Sequence, residues 1–190
     1  MKLKRNLIIR YSTIGGVTLR KRKIGNNGSG LGVAISKRKV EEELNRMASI
    51  EQLQKINTPA HQVYLALTTK EGLSEIWTKD LEVEAVVGKV NEFRFGPNDT
   101  AKLKVIELIP DKRVSWECVD ANTDPEWIGT TITFELTESN GTTKVDFCHA
   151  QWKEITSCYK FCNYNWAMFL LSLKQYCELG KGTPYQERTF

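Results

Sequence analysis

The chain of 190 residues is short of most of the marks that single out an enzyme or a membrane protein. No stretch approaches the roughly 18 consecutive apolar residues of a membrane-spanning helix, so no span is expected. Only two histidines occur, His61 and His149, which excludes a zinc centre of three histidines. There is no G-x-S-x-G, no P-loop and no G-x-G-x-x-G behind a strand, so nothing points to a nucleophile elbow, a phosphate cradle or a dinucleotide fold. The five cysteines, Cys118, Cys148, Cys158, Cys162 and Cys177, are odd in number and include no C-x-x-C pair. No stretch before them reads as a secretory signal, so free thiols in a reducing compartment, the cytoplasm, are expected. Cys158 and Cys162 stand four apart, with His149 the nearest other soft ligand. Buried or half-buried thiols are the reading adopted there, and neither a metal nor a cofactor is expected. No internal repeat and no Ser/Pro-rich segment interrupts the chain.

Basic residues are plentiful but unevenly placed. Residues 1–46 carry 12 Lys and Arg against three Glu, a net +9, which leaves 15 basic and 20 acidic residues, a net −5, for residues 47–190. The first 25 residues contain no acidic side chain, and GNNGSGLG is a flexible tract. Sparse apolar residues and high charge argue against a packed core there. Residues 1–46 are read as a basic, disordered N-terminal extension and 47–190 as the folded domain. The extension fits a transit peptide, a nucleic-acid-binding arm through Arg20-Lys21-Arg22-Lys23 and Lys37-Arg38-Lys39, or an upstream stretch without function ahead of a start at Met47. The last is preferred, because MASIEQLQKI reads as a natural beginning, and no nucleic-acid partner is expected.

What is present is a pattern of short strands closed by one long helix. Ser157 to Leu179 holds no Pro or Gly and is followed by Gly180, which reads as a helix with a glycine stop. Its 23 residues would span about 35 Å. Cys162, Trp166, Phe169, Leu170 and Leu173 form one apolar stripe along it. Burying the last four is worth about 6–12 kcal/mol, as much as the net stability of a whole domain. Ahead of it, Ser49 to Ile56 alternates as a weak strand. Asn57-Thr58-Pro59 opens a helix, and Thr68-Thr69 breaks it and caps a second one bearing Leu73, Ile76 and Trp77. Strands then follow at 81–86, 90–95, 100–109, 113–119, 127–138 and 142–152, each bounded by turn residues, with Asn140-Gly141 a hairpin signal. Their alternation gives one dry and one wet face. The expected class is α+β: a curved antiparallel sheet of about six to seven strands wrapped on a long C-terminal helix, with two short helices after the first strand.

That order of elements resembles the START-like helix-grip fold of the SRPBCC superfamily, the Bet v-like architecture. PAHQVYLALTTKEGLSEIW (59–77), AKLKVIELIPDKRVSW (101–116) and GKGTPY (180–185) resemble segments of the activator of heat shock protein 90 ATPase homologue family, C-terminal domain type. The resemblance covers about 47–185 and contains no catalytic signature. Asp120 to Trp127, DANTDPEW, departs from the family's pattern, so no ligand is carried over. The resemblance implies a hydrophobic cavity between sheet and helix, which in relatives holds lipids, hormones or polyketide-like molecules. A few relatives are cyclases or hydrolases, and the co-chaperone relatives bind a partner protein.

Three functions follow as expectations. The first is a binding module for a small hydrophobic or amphipathic ligand, its cavity lined by Phe93, Trp116, Phe134, Phe147, His149, Trp166, Phe169 and Leu170. The second is a module acting on a chaperone ATPase. The third is a polyketide cyclase or hydrolase-type enzyme using His149, which the alternation places on the dry face beside Phe147. Against the pocket stands the plainer reading that these rings fill a core and that His149 is a satisfied core histidine. Because a one-residue slip reverses every side chain, a bulge in the last strand would turn His149 outward. Tyr159 and Tyr164 are candidates for hydroxyls at the cavity mouth, and Glu107 for the rim. The chain is expected to be a monomer or a homodimer.

Overall fold

The first long strand of the domain is β3, Ala48–Ile56, preceded in the chain by a two-stranded antiparallel hairpin, β1 (Thr13–Ile14) and β2 (Val17–Thr18). The computed structural model describes residues 47–189 in full and, before them, only the backbone of these two short strands. The readings of the basic extension fall outside the described residues. The chain divides into two compact units, Met1–Glu41 and Glu42–Phe190.

Within the second unit, β3 is followed by α1 (Ala60–Thr68) and α2 (Lys70–Ile76). Then come β4 (Asp80–Glu82), β5 (Val90–Gly96), β6 (Asp99–Ile109), β7 (Arg113–Ala121), β8 (Thr131–Ser139) and β9 (Thr142–Trp152). The long helix α3, Ser157–Leu179, follows them. The seven strands form one curved sheet in the order β3-β9-β8-β7-β6-β5-β4, every pairing antiparallel. This is the helix-grip architecture that the order of elements implied.

Local chemistry explains most boundaries. Thr156 caps α3 by accepting the Tyr159 amide, and Gly180 ends it at φ 76°, a left-handed turn that glycine adopts without a side-chain clash. Thr69 caps α2 by accepting the Gly72 amide at 3.1 Å. The cap of α1 differs from expectation. Pro59 precedes the helix without a side-chain cap, and Glu138 of β8 accepts the Ala60 amide at 2.8 Å. That carboxylate comes from 78 residues along the chain, so no local pattern reveals it.

Two strands are shorter than alternation suggests. β4 stops at Glu82, because the Glu84 amide turns to the side chain of Asn91 instead of a neighbouring strand. The stretch read as a strand from Trp127 begins with a 3-10 turn, Pro125–Trp127, and β8 starts only at Thr131. Pro125 has no amide to give a ladder, Gly129 sits at φ 87°, and Ile128 is consequently exposed.

The stripe on α3 lies on the dry face of the sheet. Cys162, Trp166, Phe169, Leu170 and Leu173 are all buried, and Trp166 meets Phe147 of β9 at a ring-centroid distance of 4.6 Å. At the sheet edge, the Gln52 amide of β3 donates to the backbone and side-chain oxygens of Asn163 at 2.8 and 2.7 Å. Among the described residues, no helix is long and apolar enough to cross a membrane, and all five cysteines are free thiols.

Candidate functional site

The space between sheet and α3 has two ends of different character. One is filled. The last strand keeps its phase through His149, and the irregularity comes two residues later, at Gln151 with φ 71°. There the register against β3 shifts and Trp152, not Gln151, turns inward. His149 therefore stays on the dry face, fully buried. Its Nδ1 accepts the Trp166 indole N–H at 3.0 Å, which leaves Nε2 as the protonated nitrogen, donating to Thr130 Oγ1 at 2.8 Å. The Thr130 hydroxyl in turn donates to the Trp127 carbonyl at 2.6 Å. Burial pushes the His149 pKa down to about 3, so at neutral pH the ring is uncharged. Both nitrogens are consumed inside the core. Trp127, Trp152 and Trp166 surround the ring at centroid distances of 4.9, 4.7 and 5.7 Å. The Trp152 indole N–H is buried without an acceptor.

The eight residues proposed from the sequence as cavity walls are brought together here. Phe93, Trp116, Phe134, Phe147, His149, Trp166, Phe169 and Leu170 are each at most 2% exposed. They touch in a chain of rings running from Phe93 through Trp116, Phe134 and Phe147 to Trp166. Tyr159 donates its hydroxyl to the Ser49 carbonyl at 2.7 Å, and Tyr164 is exposed on the outer side of the helix. Glu107, expected at the rim, is not among the residues lining the cavity at the other, open end and pairs with Arg113 at 3.0 Å. The Arg113 Nε–H does not point at an acceptor, so this contact is an ion pair and not a hydrogen bond.

The other end is open. A cavity of about 170 Å³ lies there, between the ends of β5, β6 and β7, the first half of α3 and the C-terminal tail. None of the eight residues lines it; Trp77 and Trp127 stand between them and the cavity. Phe95 and the largely exposed Phe161 complete the apolar wall. Polar groups converge on the same space, among them Asp99, Thr123, Asp124, Cys162, Asn165 and Arg188. Arg188 donates from Nε to the Thr183 carbonyl at 3.0 Å and from Nη2 to the Ile76 carbonyl at 3.1 Å. Among the described residues no carboxylate pairs with it. Burial lowers its pKa, yet a guanidinium stays charged at any ordinary pH. Burial also raises the Asp124 pKa above the usual carboxylate value, against the hydrogen bond it accepts from Cys158.

The tail is held in place by a close approach. A side chain at Gly182 would run into the Glu75 carbonyl oxygen and the Ser172 hydroxyl, so only glycine lets residues 183–188 lie against α2 and α3. The Thr183 amide then donates to Ser172 Oγ at 2.7 Å, and the Tyr185 amide to the Trp77 carbonyl at 2.7 Å.

The loop that departs from the family pattern, DANTDPEW, supplies Asp124 and Trp127 to this cavity. Sequence reasoning missed the cavity because the loop and the tail, where no periodicity operates, close it against the strand ends and α3. A signal was present, however. Trp127 is a large apolar residue in a loop, and Arg188 is a lone cation after a Gly/Pro turn.

A family model described as Activator of Hsp90 ATPase homolog 1-like protein matches residues 57–178. Among solved structures, the Aha1 dimer from Colwellia psychrerythraea is similar, with 40% identity and a TM-score of 0.65 over 71% of this chain and 99% of that one. A Bacillus halodurans protein is similar at 20% identity and a TM-score of 0.56 over 69% of this chain and 97% of that one. DynU16, a putative protein in the dynemicin biosynthetic locus, is similar at 18% identity and a TM-score of 0.58 over 70% of this chain and 48% of that one. The last two likenesses speak to the fold alone. No curated protein sequence matches the chain.

Proposed function

Since this chain belongs to the Activator of Hsp90 ATPase homolog 1-like family, we propose that it is a START-type binding module whose ligand enters at the open end and that performs no chemistry on it. The observation that carries this reading is the cavity at the tail, with Trp77, Phe95, Trp127 and Phe161 in its wall and a guanidinium at its edge that pairs with no carboxylate among the described residues. Pockets of this make-up orient a ligand by a few polar groups set in apolar walls. Size narrows the class. An apolar cavity of about 150 Å³ accommodates benzene, so about 170 Å³ suits one ring or a short chain, not a sterol or a polyketide. The ligand is then a small aromatic or short aliphatic acid, its ring between Trp77 and Trp127 and its carboxylate at Arg188. Phe93, Trp116, Trp166 and Phe169 pack behind Trp77, and His149 and Trp166 behind Trp127. His149 does not take part, since both of its nitrogens are bonded within the core.

Tryptophan fluorescence tests this, because two indoles line the cavity. Benzoate, phenylacetate and hexanoate are expected to bind with a spectral change, and benzyl alcohol about tenfold more weakly or worse, since it forgoes a charge-assisted contact. Arg188→Met should erase the difference. Equal binding of acid and alcohol would remove the assigned role of Arg188.

A second reading rests on a different observation, the 40% identity to Aha1 over nearly that whole chain. Here the domain acts on a chaperone ATPase, the activity the family description names, and assembles as a homodimer, as that relative's description says of it. Stimulation of an Hsp90 ATPase by the full chain, and a dimer mass in light scattering, are the expected results. A monomer that leaves the ATPase rate unchanged would discard this reading and leave the first one standing.

A further inference from the structure

We propose that Asp124, Cys158 and Cys162 form a binding site for a soft divalent cation of the zinc class, set in the wall of the open-end cavity. Their ligand atoms all lie within 4.8 Å of one another. The Cys158 and Cys162 sulfurs are 3.8 Å apart, and Cys158 Sγ is 3.3 Å from Asp124 Oδ1. A tetrahedral zinc with bonds of about 2.3 Å to sulfur and about 2.0 Å to oxygen places two sulfurs about 3.8 Å apart and a sulfur and an oxygen about 3.5 Å apart. Two of the three donor spacings therefore stand close to what the ion needs.

The sequence builds this arrangement from two elements. Cysteines four apart on α3 share one face, and Cys158 lies in the first turn of that helix. The loop 120–127 brings Asp124 over them. Trp127 of the same loop donates its indole N–H to Cys162 Sγ at 3.1 Å, the kind of outer contact that orients a metal ligand. Two thiolates favour zinc-class ions over calcium or magnesium, which prefer oxygen donors. Three protein ligands leave a fourth position, and Asp124 and Cys162 both face the cavity, so that position opens onto it.

On binding a divalent cation, two thiol protons leave, two metal–sulfur bonds and one metal–oxygen bond form, and no electron is transferred. The resulting centre carries one net negative charge, in a cavity that Arg188 also lines. The site stands independently of the small-acid reading, because its ligands are protein atoms and need no second guest.

Cobalt(II) titration of the reduced full chain provides the test, since cobalt reports both stoichiometry and ligand type. The expected result is one equivalent bound, with a thiolate charge-transfer band in the near ultraviolet and visible bands of tetrahedral intensity, all displaced by zinc. Cys158→Ser and Asp124→Asn should each weaken binding by at least about tenfold, and Cys177→Ser should leave it unchanged. Cys158 and Asp124 are only half-buried, so these variants are expected to fold even if Cys162→Ser does not. No band at one equivalent overturns the proposal. So does binding that survives both Cys158→Ser and Asp124→Asn undiminished, or a Cys158–Cys162 disulfide that persists under reductant. A parallel benzoate titration keeps the readings apart: loss of carboxylate preference with the cobalt bands intact touches only the ligand proposal.

Discussion

The two ends of the helix–sheet interface are built from the same helix and the same loop, yet they end in opposite states. Both ring nitrogens of His149 and the neighbouring hydroxyl are bonded, and three tryptophans close on the imidazole. Around Arg188 the guanidinium donates, among the described residues, to two backbone carbonyls, and space remains in front of an apolar wall. Trp127 belongs to both ends: its carbonyl closes the His149 chain and its ring faces the cavity. The number of aromatic side chains on a dry face therefore does not measure a pocket. A pocket depends on polar groups that the core has not already consumed.

The strongest way to break the contrast is to hollow the filled end. Trp166→Ala removes the ring that touches Phe147, Trp127, Phe134 and Phe169, and leaves His149 Nδ1 without its donor. The expected loss is about 3–5 kcal/mol in urea unfolding. A loss below about 1 kcal/mol would mean that the end is loosely packed and the contrast false.

Next in size is a change at the open end that acts through the backbone. Gly182→Ala forces a methyl group against the Glu75 carbonyl and Ser172, so the tail must shift. Overpacking of this kind costs about 1–3 kcal/mol. Because residues 183–188 carry the Arg188 contacts, carboxylate binding should fall with stability, whereas Trp166→Ala would lower stability with the Arg188 contacts left in place. Full stability and full binding in Gly182→Ala would show that the tail does not position the cavity.

How much of this contrast the sequence disclosed follows from periodicity. The helix 157–179, the dry-face phase of each long strand and the inward His149 are all legible, because they depend on spacings of two and three to four residues. The class and the order of elements follow from the same spacings. The Glu138 cap on α1, the Gln151 bulge and the Asp124 cluster are not legible, because each joins residues far apart in the chain or sits where the pattern lapses. Cys158 and Cys162 were visible as a pair, but a third ligand was sought at His149, which the core holds. The ligand atoms meet through Asp124, in the one stretch that follows no family pattern.

The third prediction concerns pH and belongs to the filled end alone. His149 has its pKa depressed to about 3 from the ordinary 6.5, so the unfolded chain binds this proton first. Its contribution is fully present above pH 6.5 and is lost as pH falls from 6.5 towards about 3, at up to about 1.4 kcal/mol per pH unit. The imidazole proton resonances of His149 should therefore stay flat from neutral pH down to about pH 5. A titration midpoint above about pH 5.5 would place the ring in contact with water and erase the difference between the ends.

The smallest expected effect on stability sharpens the comparison most. Phe161 is 60% exposed on α3 and forms part of the cavity wall. In Phe161→Ala the helix keeps a good helix former and little buried area is lost, so stability should change by less than about 0.5 kcal/mol. If the open end is a ligand site, hexanoate or benzoate should bind more weakly by roughly three- to tenfold, since truncating the ring removes apolar contact worth about 1 kcal/mol. Trp166→Ala would show the reverse pairing, a large loss of stability with the mouth of the cavity intact. Unchanged binding in Phe161→Ala beside weakened binding in Arg188→Met would confine the site to the tail and exclude α3 from its wall. Such a result would redraw the boundary between the two ends at Trp127 itself.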